Sequence, residues 1–175
     1  MGACLLVGLG SCQEPASQIA HNPKPSPAVD SKAPVTEAEA RATFKKIVSN
    51  LPSMTGKPVN LAPGQLGESS KPVTREEVLL EFNRIYNGAA PCFKFTPRSV
   101  WFDPSLLTVK SGPARKILER LIKEGFIGRV CPLATAQTET MSIDDFAYAV
   151  AYFVSRIADL THLPDTKFTP ILQSS

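Results

Sequence analysis

Apolar residues recur at three- and four-residue intervals in four stretches of the chain, which is the spacing of one face of an α-helix. Each stretch begins with a residue that favours a helix start: Thr36, Thr74, Ser111-Gly112-Pro113 and Ser142. In the first two, a Glu follows the Thr at the spacing of a capping box. The pattern predicts four helices, whose main buried positions are Phe44, Ile47, Val48, Leu51, Val78, Phe82, Ile85, Tyr86, Ile117, Leu118, Leu121, Ile122, Phe146, Val150, Phe153, Val154 and Ile157.

Proline and glycine divide these helices into two pairs. Pro52 is predicted to close the first helix, and the segment from there to Pro72 has the composition of a loop. The segment between the second and third helices is irregular, with short β-like pieces predicted at Cys92–Phe95 and Val100–Phe102. The sequence therefore predicts a mainly α fold of two α-loop-α repeats with minor short β pieces.

The proline content changes the picture at the N-terminal side. Five of the 16 prolines lie in the polar segment Gln13–Pro34, which carries too little apolar surface to offset the entropy of ordering it. We therefore predict a disordered tether over residues 12–34, a helical domain over 35–165 and a disordered tail over 166–175. A net charge of +3 is too mild to indicate nucleic-acid binding, and no apolar run is long enough for a spanning helix.

The first residues resemble a bacterial lipoprotein signal. Leu9-Gly10-Ser11-Cys12 is similar to a lipobox, which implies a signal segment over residues 1–11 and acylation of Cys12. The resemblance implies an extracytoplasmic protein anchored to the membrane by lipid. The alternatives are a buried apolar N-terminal strand and myristoylation of Gly2, and Leu6 stands where the second motif needs Ser or Thr.

Cysteine usage follows from that interpretation. Cleavage removes Cys4 and lipid occupies Cys12, so that Cys92 and Cys131 remain. In an oxidising envelope we predict a disulfide between them, closing a loop of about 40 residues. The alternative is two separate buried thiols. The spacing of Cys and His residues does not fit a zinc site.

The sequence offers no catalytic constellation. The two histidines, His21 and His162, have no nucleophile in a recognisable elbow. The acidic pairs Glu76-Glu77 and Asp144-Asp145 are adjacent at helix starts, where the helix dipole explains them. We therefore predict a protein that is not an enzyme and that has no metal or cofactor.

Two stretches resemble S-layer homology motifs. The first runs over Leu118–Ile127 and continues at Ser142–Ala147, and the second is the helix start Thr74-Arg75-Glu76-Glu77; together the resemblance covers residues 36–160. It implies a helical module that docks non-covalently on an envelope polysaccharide, with Thr74, Arg75 and Glu77 as glycan-binding residues. Trp101 is added as a stacking face for a sugar ring. The competing interpretations are a simple cap with a solvated Arg75, and a buried Trp101.

The predicted function is a non-enzymatic binding or scaffold role, with an envelope polysaccharide or an envelope protein as partner. One alternative is a degenerate protein-protein interaction module. The other is a DNA-binding protein, because Ile117–Val130 resembles the helix-into-wing stretch of winged-helix domains. No nucleic acid is expected if the lipobox is correct.

Overall fold

In the computed structural model of the chain, residues 30–109 and 112–161 are described. These residues form five α-helices: α1 Glu37–Thr55, α2 Arg75–Ala89, α3 Pro113–Lys123, α4 Pro132–Thr135 and α5 Ile143–Thr161. Two short 3-10 turns cover Ala90–Cys92 and Pro104–Leu106. The predicted mainly α fold is confirmed, and the four predicted helices correspond to α1, α2, α3 and α5.

Several predictions fall outside the described residues. These predictions concern the signal segment, the acylated Cys12, most of the tether, both histidines and the tail. Across the two described ranges, no helix is long and apolar enough to cross a membrane.

The first helix runs further than its proline suggests. Pro52 lies inside α1, which continues to Thr55 and ends at Gly56 in the left-handed conformation (φ 69°), so the prediction that Pro52 closes the helix is wrong. Near the end of a helix a proline removes a single hydrogen bond. Burial of Met54 and a bond from the Thr55 hydroxyl to the Leu51 carbonyl (2.9 Å) support this last turn.

A glycine turn ends α3. Gly125 adopts a left-handed conformation (φ 76°), its N–H donates to Ile122 O (2.9 Å), and the N–H of Phe126 donates to Leu121 O (2.7 Å). This is the hydrogen-bond pattern of a Schellman motif. The chain then turns into α4, and the described residues contain no β-hairpin that could serve as the wing of a winged helix.

The short β pieces lie elsewhere than predicted. Cys92 ends a 3-10 turn, and the segment Val100–Phe102 forms no strand, so both predictions are wrong. Val100 has no neighbouring strand to pair with, and its N–H instead donates to the carbonyl of Lys123 at the end of α3 (2.7 Å). Among the described residues, β-type pairing occurs only as isolated bridges, which join the segments that precede α1, α2 and α5.

Those three helix starts form a closed ring. We call it the cap ring and define it as residues 33–37, 71–75 and 139–143. The first N–H of each helix donates to a carbonyl three residues before the next cap: Glu37 to Lys71 (2.9 Å), Arg75 to Glu139 (2.8 Å) and Ile143 to Ala33 (2.9 Å). The same hydrogen bond occurs three times at equivalent positions, so the starts of α1, α2 and α5 form a threefold pattern.

The apolar residue before each cap closes the centre of the ring. Val35, Val73 and Met141 are all buried, and the N–H of Val73 donates to Val35 O (2.9 Å) while that of Val35 donates to Met141 O (3.0 Å). Each stands at the position of a hydrophobic staple, one residue before the N-cap. The ring therefore fixes the angles at which α1, α2 and α5 enter the core.

An aromatic cluster joins these helices below the ring. Phe44 of α1 packs edge-on against Phe82 of α2 and against Phe146 of α5, with ring centroids 5.6 and 5.7 Å apart. Phe82 also stacks on Phe153 of α5 at 4.3 Å. Aromatic pairs at such distances add to the stability gained from burial alone.

Candidate functional site

Thr74 and Glu77, two of the predicted glycan-binding residues, form a cap. The N–H of Glu77 donates to the Thr74 hydroxyl (3.2 Å), and a Glu77 carboxylate oxygen accepts from both the N–H and the hydroxyl of Thr74 (2.8 Å each). Burial works to raise the pKa of Glu77, but the bonds from Thr74 and Lys71 outweigh it, so the pKa lies below its ordinary value. The carboxylate is charged and already engaged within the domain.

Arg75 points inward. It is only 7% exposed, and its guanidinium donates to the Thr108 hydroxyl (2.8 Å) and, at 3.5 Å, to the carbonyl of Leu133 in α4. Burial lowers the pKa of Arg75 from its usual value, and the charge of Glu139 partly offsets this. The interpretation as a solvated first-turn residue is therefore wrong: Arg75 ties the start of α2 to the segment before α3 and to α4.

Trp101 lies at the surface. Its side chain is 78% exposed, so the interpretation as a core tryptophan is wrong. Within the described residues, no hydrogen bond or ring contact joins it to Thr74, Arg75 or Glu77. The structure therefore brings Thr74 and Glu77 together and leaves Arg75 and Trp101 out of a shared site.

The two cysteines that lie among the described residues are free thiols. Cys92 and Cys131 are both described and both buried, and the predicted disulfide between them is absent. Burial raises the pKa of the Cys131 thiol. The alternative of two separate buried thiols describes the structure.

A groove that sequence reasoning missed lies along α1. It has a volume of about 710 Å³ and is bounded by α1, by the loop Leu61–Glu68 and by α2. Its apolar lining comes from α1 and from the loop: Ala38, Ala42, Phe44, Val48, Leu61, Ala62, Pro63 and Leu66. Alanines at positions 38 and 42 leave the space that larger side chains on this face of α1 would fill.

Two buried carboxylates hold the loop that forms the wall of this groove. Glu81 of α2 is 3% exposed; it accepts from the N–H of Gln65 (2.8 Å) and pairs with Arg84 (2.7 Å). Arg84 in turn donates to the carbonyl of Ala62 (2.9 Å). The wall is therefore fixed to α2 by bonds to its backbone at two points.

Glu37, at the first turn of α1, holds the other end of the loop. It accepts from the Ser69 hydroxyl (2.5 Å) and from the N–H of Gly67 (3.3 Å), and it pairs with Lys71 (3.3 Å). The Ser69 bond is the main cause that keeps the pKa of Glu37 below its ordinary value, with burial acting in the opposite direction. Lys71 also pairs with Glu77 (3.2 Å), so it links the starts of α1 and α2.

The rim of the groove carries accessible cations. Arg41 pairs across the mouth with Glu68, and the two side chains remain 47% and 78% exposed. Lys45, one turn further along α1, is exposed and has no ion pair within the described residues. A sequence signal existed, because Arg41 and Lys45 share one helix face with Ala38 and Ala42, but a solvated helix face has the same pattern.

The described residues contain no group of three or more His, Cys, Asp or Glu side chains that could hold a metal ion. The groove has an apolar floor, a fixed wall and a rim that carries Arg41, Lys45 and Glu68. Comparison with protein-family profiles, with curated proteins and with solved structures finds no match to this chain.

Proposed function

We propose that this chain is a lipid-anchored extracytoplasmic protein whose helical domain has a non-enzymatic binding role, with an acidic envelope polysaccharide as its ligand. The observation that carries the proposal is the groove along α1, where Arg41 and Lys45 stand beside an apolar floor. Grooves of this size with a few convergent polar groups are the default binding sites of proteins.

The chemistry of the rim favours an acidic ligand. The Arg41 guanidinium pairs with Glu68, and it offers two parallel donors to a carboxylate or a sugar phosphate that takes the place of Glu68. Lys45 adds a point charge one turn away. The loop wall is held by Glu81 and Glu37, so the groove keeps its shape without a ligand. A preformed site loses less entropy when it binds.

In this proposal the segment Thr74–Glu77 supports the fold and does not contact the ligand. Its hydroxyl and carboxylate complete a cap, and Arg75 is turned into the interior. The resemblance to S-layer homology motifs supports a polysaccharide ligand. We propose that Arg41 and Lys45 contact this ligand in place of Thr74, Arg75 and Glu77.

Co-sedimentation with purified cell-wall sacculi tests the proposal. We expect the full chain to sediment with sacculi, with an affinity that falls as salt is raised, and we expect Arg41→Gln with Lys45→Gln to weaken binding about tenfold or more. The matched control is Lys46→Gln with Lys57→Gln, which removes two exposed positive charges that do not line the groove. Absence of sedimentation by the wild-type chain would reject the proposal.

Two further measurements separate the alternatives. Sacculi stripped with protease before the assay retain polysaccharide and lose bound proteins, so loss of binding would favour the protein-protein interaction module. Mass spectrometry of the native N-terminus tests the anchor. An acylated N-terminal Cys12 is expected, and an intact residue 1 would contradict it.

A further inference from the structure

The mouth of the groove holds a carboxylate that belongs to the chain itself. Glu68, on the loop that forms the wall, pairs with Arg41 of α1, and both side chains line the groove. Within the described residues, the Glu68 carboxylate makes no other hydrogen bond or ion pair. The proposed function assigns Arg41 to the acidic group of a ligand, so Glu68 occupies the place that this group would take.

The charges that line the groove nearly balance. The lining includes three cationic side chains, Arg41, Lys45 and Arg84, and two carboxylates, Glu68 and Glu81. Glu81 and Arg84 pair with each other at 2.7 Å and are only 3% and 14% exposed, so this pair is not available to a ligand and adds no net charge. The mouth therefore carries Arg41, Lys45 and Glu68, which sum to one positive charge.

Glu68 can leave Arg41 without a change in the loop. Its backbone is held on both sides, because the N–H of Gly67 (3.3 Å) and the hydroxyl of Ser69 (2.5 Å) donate to Glu37. The side chains of Glu68 and Arg41 are 78% and 47% exposed, and exposed ion pairs contribute little to stability because water solvates both charges. Rotation of one side chain therefore frees Arg41 at a small cost.

The geometry points to Glu68 as a built-in competitor for Arg41, which stands in for a carboxylate of the ligand. This inference rests on the proposed function and deepens it, because it names the acidic group and the residue that limits its affinity. A ligand carboxylate exchanges one charge-assisted bond to Arg41 for another of the same kind, so the exchange itself gains little. The net affinity therefore comes from the apolar floor and from Lys45, whose charge has no ion pair among the described residues.

Glu68→Gln tests the competition in the sacculi assay with the full chain. We expect this variant to bind about threefold more tightly than the wild type, the effect of removing an exposed ion pair that binding must break. In an Arg41→Gln chain Glu68 has no guanidinium to release, so Glu68→Gln should lose this effect there. The matched control is Glu76→Gln, which removes an exposed carboxylate that does not line the groove and should leave the affinity unchanged.

Chemical treatment of the sacculi identifies the acidic group of the ligand. Carbodiimide coupling to ethanolamine converts carboxylates into neutral amides, and hydrofluoric acid removes polymers that are attached through phosphodiesters. We expect the first treatment to weaken binding by the wild type as far as Arg41→Gln with Lys45→Gln does. The second treatment should leave binding unchanged.

Three outcomes overturn the inference. Unchanged or weaker binding by Glu68→Gln would show that Glu68 does not compete with the ligand. An equal gain from Glu68→Gln in the Arg41→Gln chain, or from Glu76→Gln, would assign the gain to general charge. Loss of binding after hydrofluoric acid alone would make the ligand group a phosphodiester. In each case the wild type still sediments with untreated sacculi and the proposed function stands, whereas no sedimentation by any of these chains rejects both.

Discussion

The N–H of Ile143, the first residue of α5, donates a 2.9 Å hydrogen bond to the carbonyl oxygen of Ala33, which lies three residues before the cap of α1. This bond joins the last described helix to the segment before the first one and closes the cap ring. The residues at the ring centre should therefore matter for the stability of the whole domain.

Substitution of Val73 by Ala tests the centre of the ring. Val73 is fully buried, so we expect the change to lower the free energy of unfolding by about 2 kcal/mol, from lost burial and the remaining cavity. Urea unfolding followed by circular dichroism measures it. The same substitution at Val130, which is 77% exposed, should cost less than about 0.5 kcal/mol. Equal losses in the free energy of unfolding at Val73 and Val130 would contradict a stabilising role for the centre of the ring.

Arg75→Ala should act on stability. The change removes a buried guanidinium that donates to Thr108 and leaves a void between α2 and α4, so a loss of about 2 kcal/mol in the free energy of unfolding is expected. Arg98→Ala, at an exposed position, is the matched control with a change below about 0.5 kcal/mol. An Arg75 variant that keeps wild-type stability but no longer binds sacculi would restore Arg75 as a ligand contact.

The thiols should be free and protected. Without a disulfide, a reducing agent should leave the melting temperature unchanged, whereas reduction of a bridge closing a loop of this size would remove about 3–4 kcal/mol. In native protein Cys131 should react slowly with alkylating reagents, because burial both shields the thiol and raises its pKa. Denaturant should expose both cysteines at once. A peptide containing both Cys92 and Cys131 in a non-reducing map would contradict this.

Acid should weaken the bonds by which Glu37 holds the loop that forms the groove wall. The Ser69 bond keeps the pKa of Glu37 below its ordinary value of 4.5, so this carboxylate stabilises the fold fully above that pH. Its contribution is lost as the pH falls through the lower pKa of the folded state. Ser69→Ala removes the hydrogen bond that is the main cause of the lowered pKa of Glu37. We therefore expect acid unfolding of this variant to begin at a higher pH than that of the wild type. Acid unfolding followed by circular dichroism measures this, and identical curves for the two chains would show that Glu37 has no such role.

Local patterns in the sequence predicted most of the secondary structure. Helix starts at Thr36, Thr74 and Ser142 follow from hydroxyl side chains that satisfy the first N–H groups, and the end of α3 follows from Gly125. These signals depend on a few adjacent residues. The boundary at Pro52 was wrong because burial of the following turn, which depends on distant residues, outweighed one missing donor.

The candidate site was harder to predict, because each residue type there has a common structural role. A capping Thr and Glu look the same in sequence whether or not a ligand approaches them. The inward turn of Arg75 depends on Thr108 and Leu133, which are 33 and 58 residues away along the chain. The exposure of Trp101 likewise depends on the path of the irregular segment past α3.

By itself, the sequence determined that the domain is helical and where the capped helices begin, since periodicity and caps act over one or two turns of chain. Tertiary structure alone decided that three helix starts close into one ring, that the loop Leu61–Glu68 becomes the wall of a groove, and that Arg75 lies inside while Trp101 lies outside. These features depend on hydrogen bonds and burial between residues far apart in sequence, such as Ile143 with Ala33 and Gly67 with Glu37. A local pattern does not contain such contacts, because they form only when the helices pack.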